Sequence, residues 1–117
     1  MTIILRMPPR ILTPNGRPPH WAAKHRATKQ ARAQAKLNTL KALCGVKPPK
    51  PREYSLRYLW PTKRRLDDDN AIASVKAYMD GICEALRIDD ASLKFRELIH
   101  ASDKAKPRLE IILHLDP

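Results

Sequence analysis

Apolar and polar positions divide the chain into four extended runs and two helical ones. Ile3, Leu5 and Met7 share one side of a short first strand, with Ile4 and Arg6 on the other, and Pro8-Pro9 ends it. Residues 8–20 hold Pro8, Pro9, Pro14, Pro18, Pro19 and Asn15-Gly16, which predicts an irregular loop exposing Arg10, Arg17 and His20. From Trp21 to Leu43 there is no Gly or Pro and Ala is abundant, so this stretch is a helix, with Gly45 placed to cap it. Its apolar face is thin (Ala27, Ala31, Leu37, Leu40), which predicts a surface helix anchored by Trp21.

After the proline-rich connector 46–51, Tyr54, Leu56, Tyr58 and Trp60 alternate with polar Ser55 and Arg57, a half-buried strand over Glu53–Trp60. Ile72, Val75, Met79, Ile82 and Leu86 then recur at helical spacing over 71–87, with Gly81 suited to the close approach of another backbone. Leu93–Ala101 reads as a third strand with a bulge at Glu97-Leu98. A fourth strand carries Leu109, Ile111, Leu113 and Leu115 and lies close enough in sequence to form an antiparallel hairpin with the third. The order β-α-β-α-β-β predicts one α+β domain over 1–117, with a small mixed sheet of about four strands and two main helices.

Charge adds a direction to this outline. The 117 residues carry a net charge of +11, which biases the partner toward a polyanion. Residues 1–65 hold 16 Lys/Arg against one acid, Glu53, whereas residues 66–117 hold 7 Lys/Arg against 11 acids. No apolar run approaches the ~18 residues of a membrane span, and residues 1–6 lack the apolar stretch of a signal peptide. Cys44 and Cys83 form neither a disulfide framework nor a zinc spacing. The expectation is a reduced, cytoplasmic protein. His20, His25, His100 and His114 share no metal spacing and read as solvated or structural.

Asp67-Asp68-Asp69-Asn70 carries the most distinctive chemistry. In an extended chain Asp67 and Asp69 point to one side and Asp68 to the other. Two convergent carboxylates suit a hard cation such as Mg²⁺, which fills its remaining positions with water and phosphate oxygens. The competing reading is helix capping, since Asp and Asn are favoured at helix N-termini. Lys63-Arg64-Arg65 lies immediately upstream, and a phosphate-binding surface ending in acids makes sense with a cation between them. Lys76 and Asp80 follow on the helix face that starts at Asp69; they are either a surface i,i+4 pair or a lysine aimed at substrate phosphate. Asp89-Asp90 reads first as a turn.

Arg64-Arg65-Leu66-Asp67-Asp68-Asp69-Asn70, Lys76-Ala77-Tyr78-Met79-Asp80-Gly81-Ile82 and Ile88-Asp89-Asp90 together resemble the RusA-type Holliday junction resolvases of bacteria and their phages. That pattern is roughly D-x-D-N, a helix with K-x-x-x-D-x-L, then a D-D turn. The resemblance implies a homodimeric, Mg²⁺-dependent endonuclease, with Mn²⁺ as a substitute, that resolves four-way DNA junctions by paired nicks. It further implies Asp67, Asp69 and Asp90 as metal ligands, with Lys76 assisting. Here Lys76 stands about one helical turn, ~5 Å, further from D-x-D-N than in the bacterial enzyme.

The phosphate-binding residues expected are Lys63, Arg64, Arg65, Arg17, Lys24, Lys29, Arg32 and Lys36. A straight helix over 70–87 would hold its ends ~25 Å apart. Asp90 would then complete the site of the other subunit, unless the helix breaks at Gly81. The rival reading is a non-catalytic basic DNA- or RNA-binding module, in which the acids only cap.

Overall fold

The alternating runs become a four-stranded sheet. A computed structural model, which describes residues 1–13 and 21–115, places β1 at Thr2–Leu5, β2 at Glu53–Trp60, β3 at Lys94–Ser102 and β4 at Arg108–His114. The strand order is β1-β4-β2-β3, with β4 antiparallel to both its neighbours and β2 parallel to β3. Helix α1 is Trp21–Leu43, α2 is Asp68–Ala73 and α3 is Lys76–Leu86; single 3-10 turns sit at Arg10–Leu12 and Asp90–Ser92. The class is α+β with a mixed sheet and two main helices, α1 and α3, as the patterning predicts. No helix among the described residues is long and apolar enough to cross a membrane.

Two expectations about the sheet are corrected. β3 and β4 form no hairpin, because β2 lies between them. The cause is burial on both faces of β2. Leu56 and Tyr58 fill the helix side while Ser55 and Leu59 are covered on the other, so β2 takes a central place and the largely exposed β3 takes an edge. The bulge falls at Arg96, the extra residue between the pairs Tyr54–Phe95 and Ser55–Glu97, just ahead of the predicted step.

One face of the sheet (Ile3, Leu5, Leu56, Tyr58, Leu109, Ile111, Leu113) packs on Val75, Met79, Ile82 and Leu86 of the α2–α3 stripe. Helix α1 buries Ala31, Ala35, Thr39 and Leu43 rather than the expected Leu37 and Leu40, which are each 46% exposed. The small residues follow from Gly81. A Cβ there would strike the Arg32 carbonyl oxygen and lie 3.0 Å from the Lys36 nitrogen, so the α1 and α3 backbones touch. Trp21 is 78% exposed and does not anchor α1.

Candidate active site

The site depends on where the second helix breaks. In a continuous helix the Val75 N–H would bond the Ala71 carbonyl. Instead that carbonyl accepts the Tyr58 hydroxyl at 2.6 Å and the Ser74 hydroxyl at 3.2 Å, and the Val75 N–H turns to Ile72 at 3.4 Å. Side-chain hydroxyls inserted into the ladder bend a helix sharply. The break is therefore at Ser74–Val75 and not at Gly81. Burial pushes the Tyr58 hydroxyl up to about 12, so it keeps its proton and donates at neutral pH.

At the other end of α3, Arg87 takes a left-handed conformation (φ 58°) and turns the chain back, with the Ile88 N–H bonded to the Cys83 carbonyl at 3.0 Å. Asp89 accepts the Ala91 N–H at 3.1 Å, a bond that holds its carboxyl below the usual range. Asp90 is thereby carried alongside α3. Lys76 Nζ lies 3.9 Å from Asp90 Oδ2 and 3.7 Å from Asp80 Oδ1. The straight 70–87 helix is thus corrected: it breaks at Ser74–Val75, and Asp90 pairs with Lys76 of its own chain. Lys76, Asp80 and Asp90 border a cleft of about 340 Å³ walled by Tyr54, Ile72, Ala73 and Cys83. Burial, reinforced by Asp90, Asp80 and Asp89, pushes the Cys83 thiol up to about 11.

Asp67, Asp68 and Asp69 lie at the opposite end of α2, where they and Arg65 border an open cleft of about 490 Å³. The extended run expected over Asp67–Asp69 is corrected, since α2 starts at Asp68 and Asp69 is helical; Asp67 occupies the N-cap position, yet its side chain makes no capping hydrogen bond. Asp68 Oδ1 is 3.0 Å from His100 Nε2. Among the described residues, the side chains of Asp67 and Asp69 have no hydrogen-bond or ion-pair partner. Asp69 stands one helical turn before Ile72 and Ala73, the wall of the Lys76–Asp80–Asp90 cleft. The two acidic groups are therefore neighbours along α2 but do not merge. No set of three His, Cys, Asp or Glu side chains among the described residues converges enough to hold a metal, so Asp67, Asp69 and Asp90 are not gathered into one ligand set.

The cations separate into groups. Lys63, Arg64 and Arg65 are exposed just before the acids, and Lys29 is exposed on α1. Lys24 lines a cleft with Lys76 and Asp80. Arg32 and Lys36 are instead bonded to Glu84 of α3 at 2.9 and 3.0 Å, which holds the Glu84 carboxyl low and commits both cations to the helix–helix contact. Arg17 lies outside the described residues.

His100 reads in the sequence as solvated or structural and Tyr58 and Trp60 as one face of a strand, with no signal linking them to the aspartates. Only the strand pairing places His100 beside Tyr58. His114, read as structural, bonds Ser55 Oγ at 2.7 Å on the outer face of the sheet.

No family model matches the chain. It is 37% identical over 101 residues to an uncharacterized protein of Xylella fastidiosa, a match that covers 84% of this chain and 65% of that protein's length.

Proposed function

We propose that this protein is a Mg²⁺-dependent endonuclease of the RusA type, which resolves four-way DNA junctions as a homodimer in the bacterial cytoplasm during recombination and repair. The observation that carries the reading is Asp67 and Asp69 standing without partners beside exposed Lys63-Arg64-Arg65, with Asp69 one turn of α2 from Ile72 and Ala73, which wall the cleft bordered by Lys76, Asp80 and Asp90. A capping hydrogen bond does not account for Asp67, because its side chain makes none.

The donor chemistry suits the cation. Asp67 and Asp69 offer only hard oxygens, and Mg²⁺ takes one or two carboxylates beside water and phosphate oxygens; Mn²⁺ shares that preference. When bound, the cation would make water acidic and offset charge building on a phosphodiester. Lys76, held between Asp80 and Asp90, offers an ammonium to substrate phosphate or the leaving oxygen. Asp90 is paired with Lys76 outside the Asp67–Asp69 cleft, so it would join as a third ligand only if Lys76 were released and the two acidic groups drew together. Lys63, Arg64, Arg65, Lys24 and Lys29 hold phosphates and carry no base preference, so selection falls to junction shape and dimer spacing.

The rival binding module accounts for the basic half and leaves Asp67 and Asp69 only the N-terminal dipole of α2 to offset. A cleavage assay separates the two. With Mg²⁺, an end-labelled four-way junction should be nicked much faster than a linear duplex of the same sequence, and EDTA should stop it. Equal cutting of both substrates would overturn the junction assignment, and salt-weakened binding without nicks would favour the binding module.

A further inference from the structure

The three consecutive aspartates are chemically identical in sequence and unlike in surroundings. Asp68 alone is tied down, by His100, whose own state follows from its other neighbour. Trp60 Nε1 lies 2.8 Å from His100 Nδ1. An indole N–H can only donate, so Nδ1 must be the bare, accepting nitrogen. The proton of a neutral ring then sits on Nε2, aimed at Asp68 Oδ1 3.0 Å away. The His100 side chain is only 10% exposed, and Asp68 is 69% exposed.

His100 also belongs to a column of rings. Tyr58 and Trp60 share a face of β2 and stack at 4.8 Å with planes 6° apart. His100, the partner of Tyr58 in the parallel β2–β3 register, lies within 6.0 Å of Trp60 and 6.1 Å of Tyr58 with planes inclined by 24° and 23°. The column grips α2 at both ends. Tyr58 holds the Ala71 carbonyl near the C-terminus, and His100 holds Asp68 in the first turn. Helix α2 has only six residues, too few to be stable alone, so its orientation must come from outside.

We infer that the Tyr58–Trp60–His100 column is the support that orients the acidic turn, with His100 a positioning residue and Asp68 its anchor rather than a metal ligand. The inference rests on the metal-binding reading of Asp67 and Asp69 above. Losing a group bonded directly to a ligand weakens metal affinity about 10–100-fold; His100 acts one residue removed, through Asp68, so the low end of that range applies. The column also accounts for the run of three acids. Two face outward for the cation, and the one between them fixes the turn from which they project.

The test is Mn²⁺ binding to the full chain, read from the free-ion electron paramagnetic resonance signal, with ¹⁵N chemical shifts of the His100 ring as an independent readout. Wild type should show Nδ1 unprotonated and Nε2 protonated. His100→Ala should weaken Mn²⁺ about 10-fold. His100→Gln, whose amide can still donate to Asp68, should recover most of that loss, which separates positioning from general damage to the fold. Asp68→Asn retains an acceptor for His100 and should keep wild-type affinity, whereas Asp69→Asn should lose it. Asp68→Asn as damaging as Asp69→Asn, wild-type affinity in His100→Ala, or a proton on Nδ1 would each overturn the inference while leaving the metal reading in place. Wild type without saturable Mn²⁺ binding would bring down both.

Discussion

Tyr58 and Cys83 hold their protons more tightly in the folded chain than outside it, Tyr58 pushed from 10.0 to about 12 and Cys83 from 9.0 to about 11. Burial leads in both, and at Cys83 the carboxylates of Asp90, Asp80 and Asp89 add to it. Between the ordinary and the raised value the unfolded chain has released a proton that the folded chain still binds, so stability falls as pH rises. We expect the urea midpoint to be insensitive to these groups below about pH 9 and to decline through pH 9–12. Cys83→Ala should flatten the lower part of that decline and Tyr58→Phe the upper part. A midpoint that is flat across the whole window in wild type would contradict the burial of both groups. The same scale shows what sequence can tell about a site. Residue type and spacing single out Asp67, Asp69 and Lys76 as candidates, and the Lys76–Asp80 pairing at i,i+4 was legible there too. The difference in surroundings between Asp68 and its two neighbours was not, because it comes from His100, 32 residues beyond Asp68.

At the level of elements, α1 was legible to its end residues, since a long stretch without Gly or Pro and rich in Ala leaves few alternatives. The second helix was legible as a stripe but not as two pieces. Nothing at Ser74-Val75 breaks a helix by propensity; the break comes from the Tyr58 hydroxyl arriving from β2. The sheet order escaped for a related reason. Sequence nearness of β3 and β4 favours a hairpin, whereas burial on both faces of β2 draws it between them. That pairing, hidden in the linear pattern, also sets His100 beside Tyr58.

Gly81 was legible as a point of close approach, and the α1–α3 contact gives it an energetic consequence. In Gly81→Ala the new methyl would meet the Arg32 carbonyl, a backbone atom that cannot swing aside. We expect a loss of about 1–3 kcal/mol, the range for forcing a methyl into packed space. It should appear in denaturant titration as a lower midpoint with an unchanged slope. Wild-type stability in this variant would show that the two backbones do not touch.

Across the whole molecule, the excess of positive charge is distributed by task. Arg32 and Lys36 fasten α1 to α3 through Glu84, so part of the positive charge is paired within the fold. Lys24 brings the basic helix to the edge of the Lys76–Asp80 cleft, and Lys63-Arg64-Arg65 brings the strand end to the aspartates. The basic half and the acidic half thus meet along α2, where phosphate and cation would be held together. The claim that joins them is that the basic residues bind DNA and the aspartates cut it. It is tested most directly by Asp69→Asn on a labelled four-way junction, with binding measured by gel shift and strand cleavage measured in Mg²⁺ on the same preparation. The account predicts junction binding at wild-type affinity with no nicked product, beside a wild type that both binds and nicks. Cleavage by Asp69→Asn at the wild-type rate, or a wild type that binds the junction and never nicks it in Mg²⁺, would contradict it.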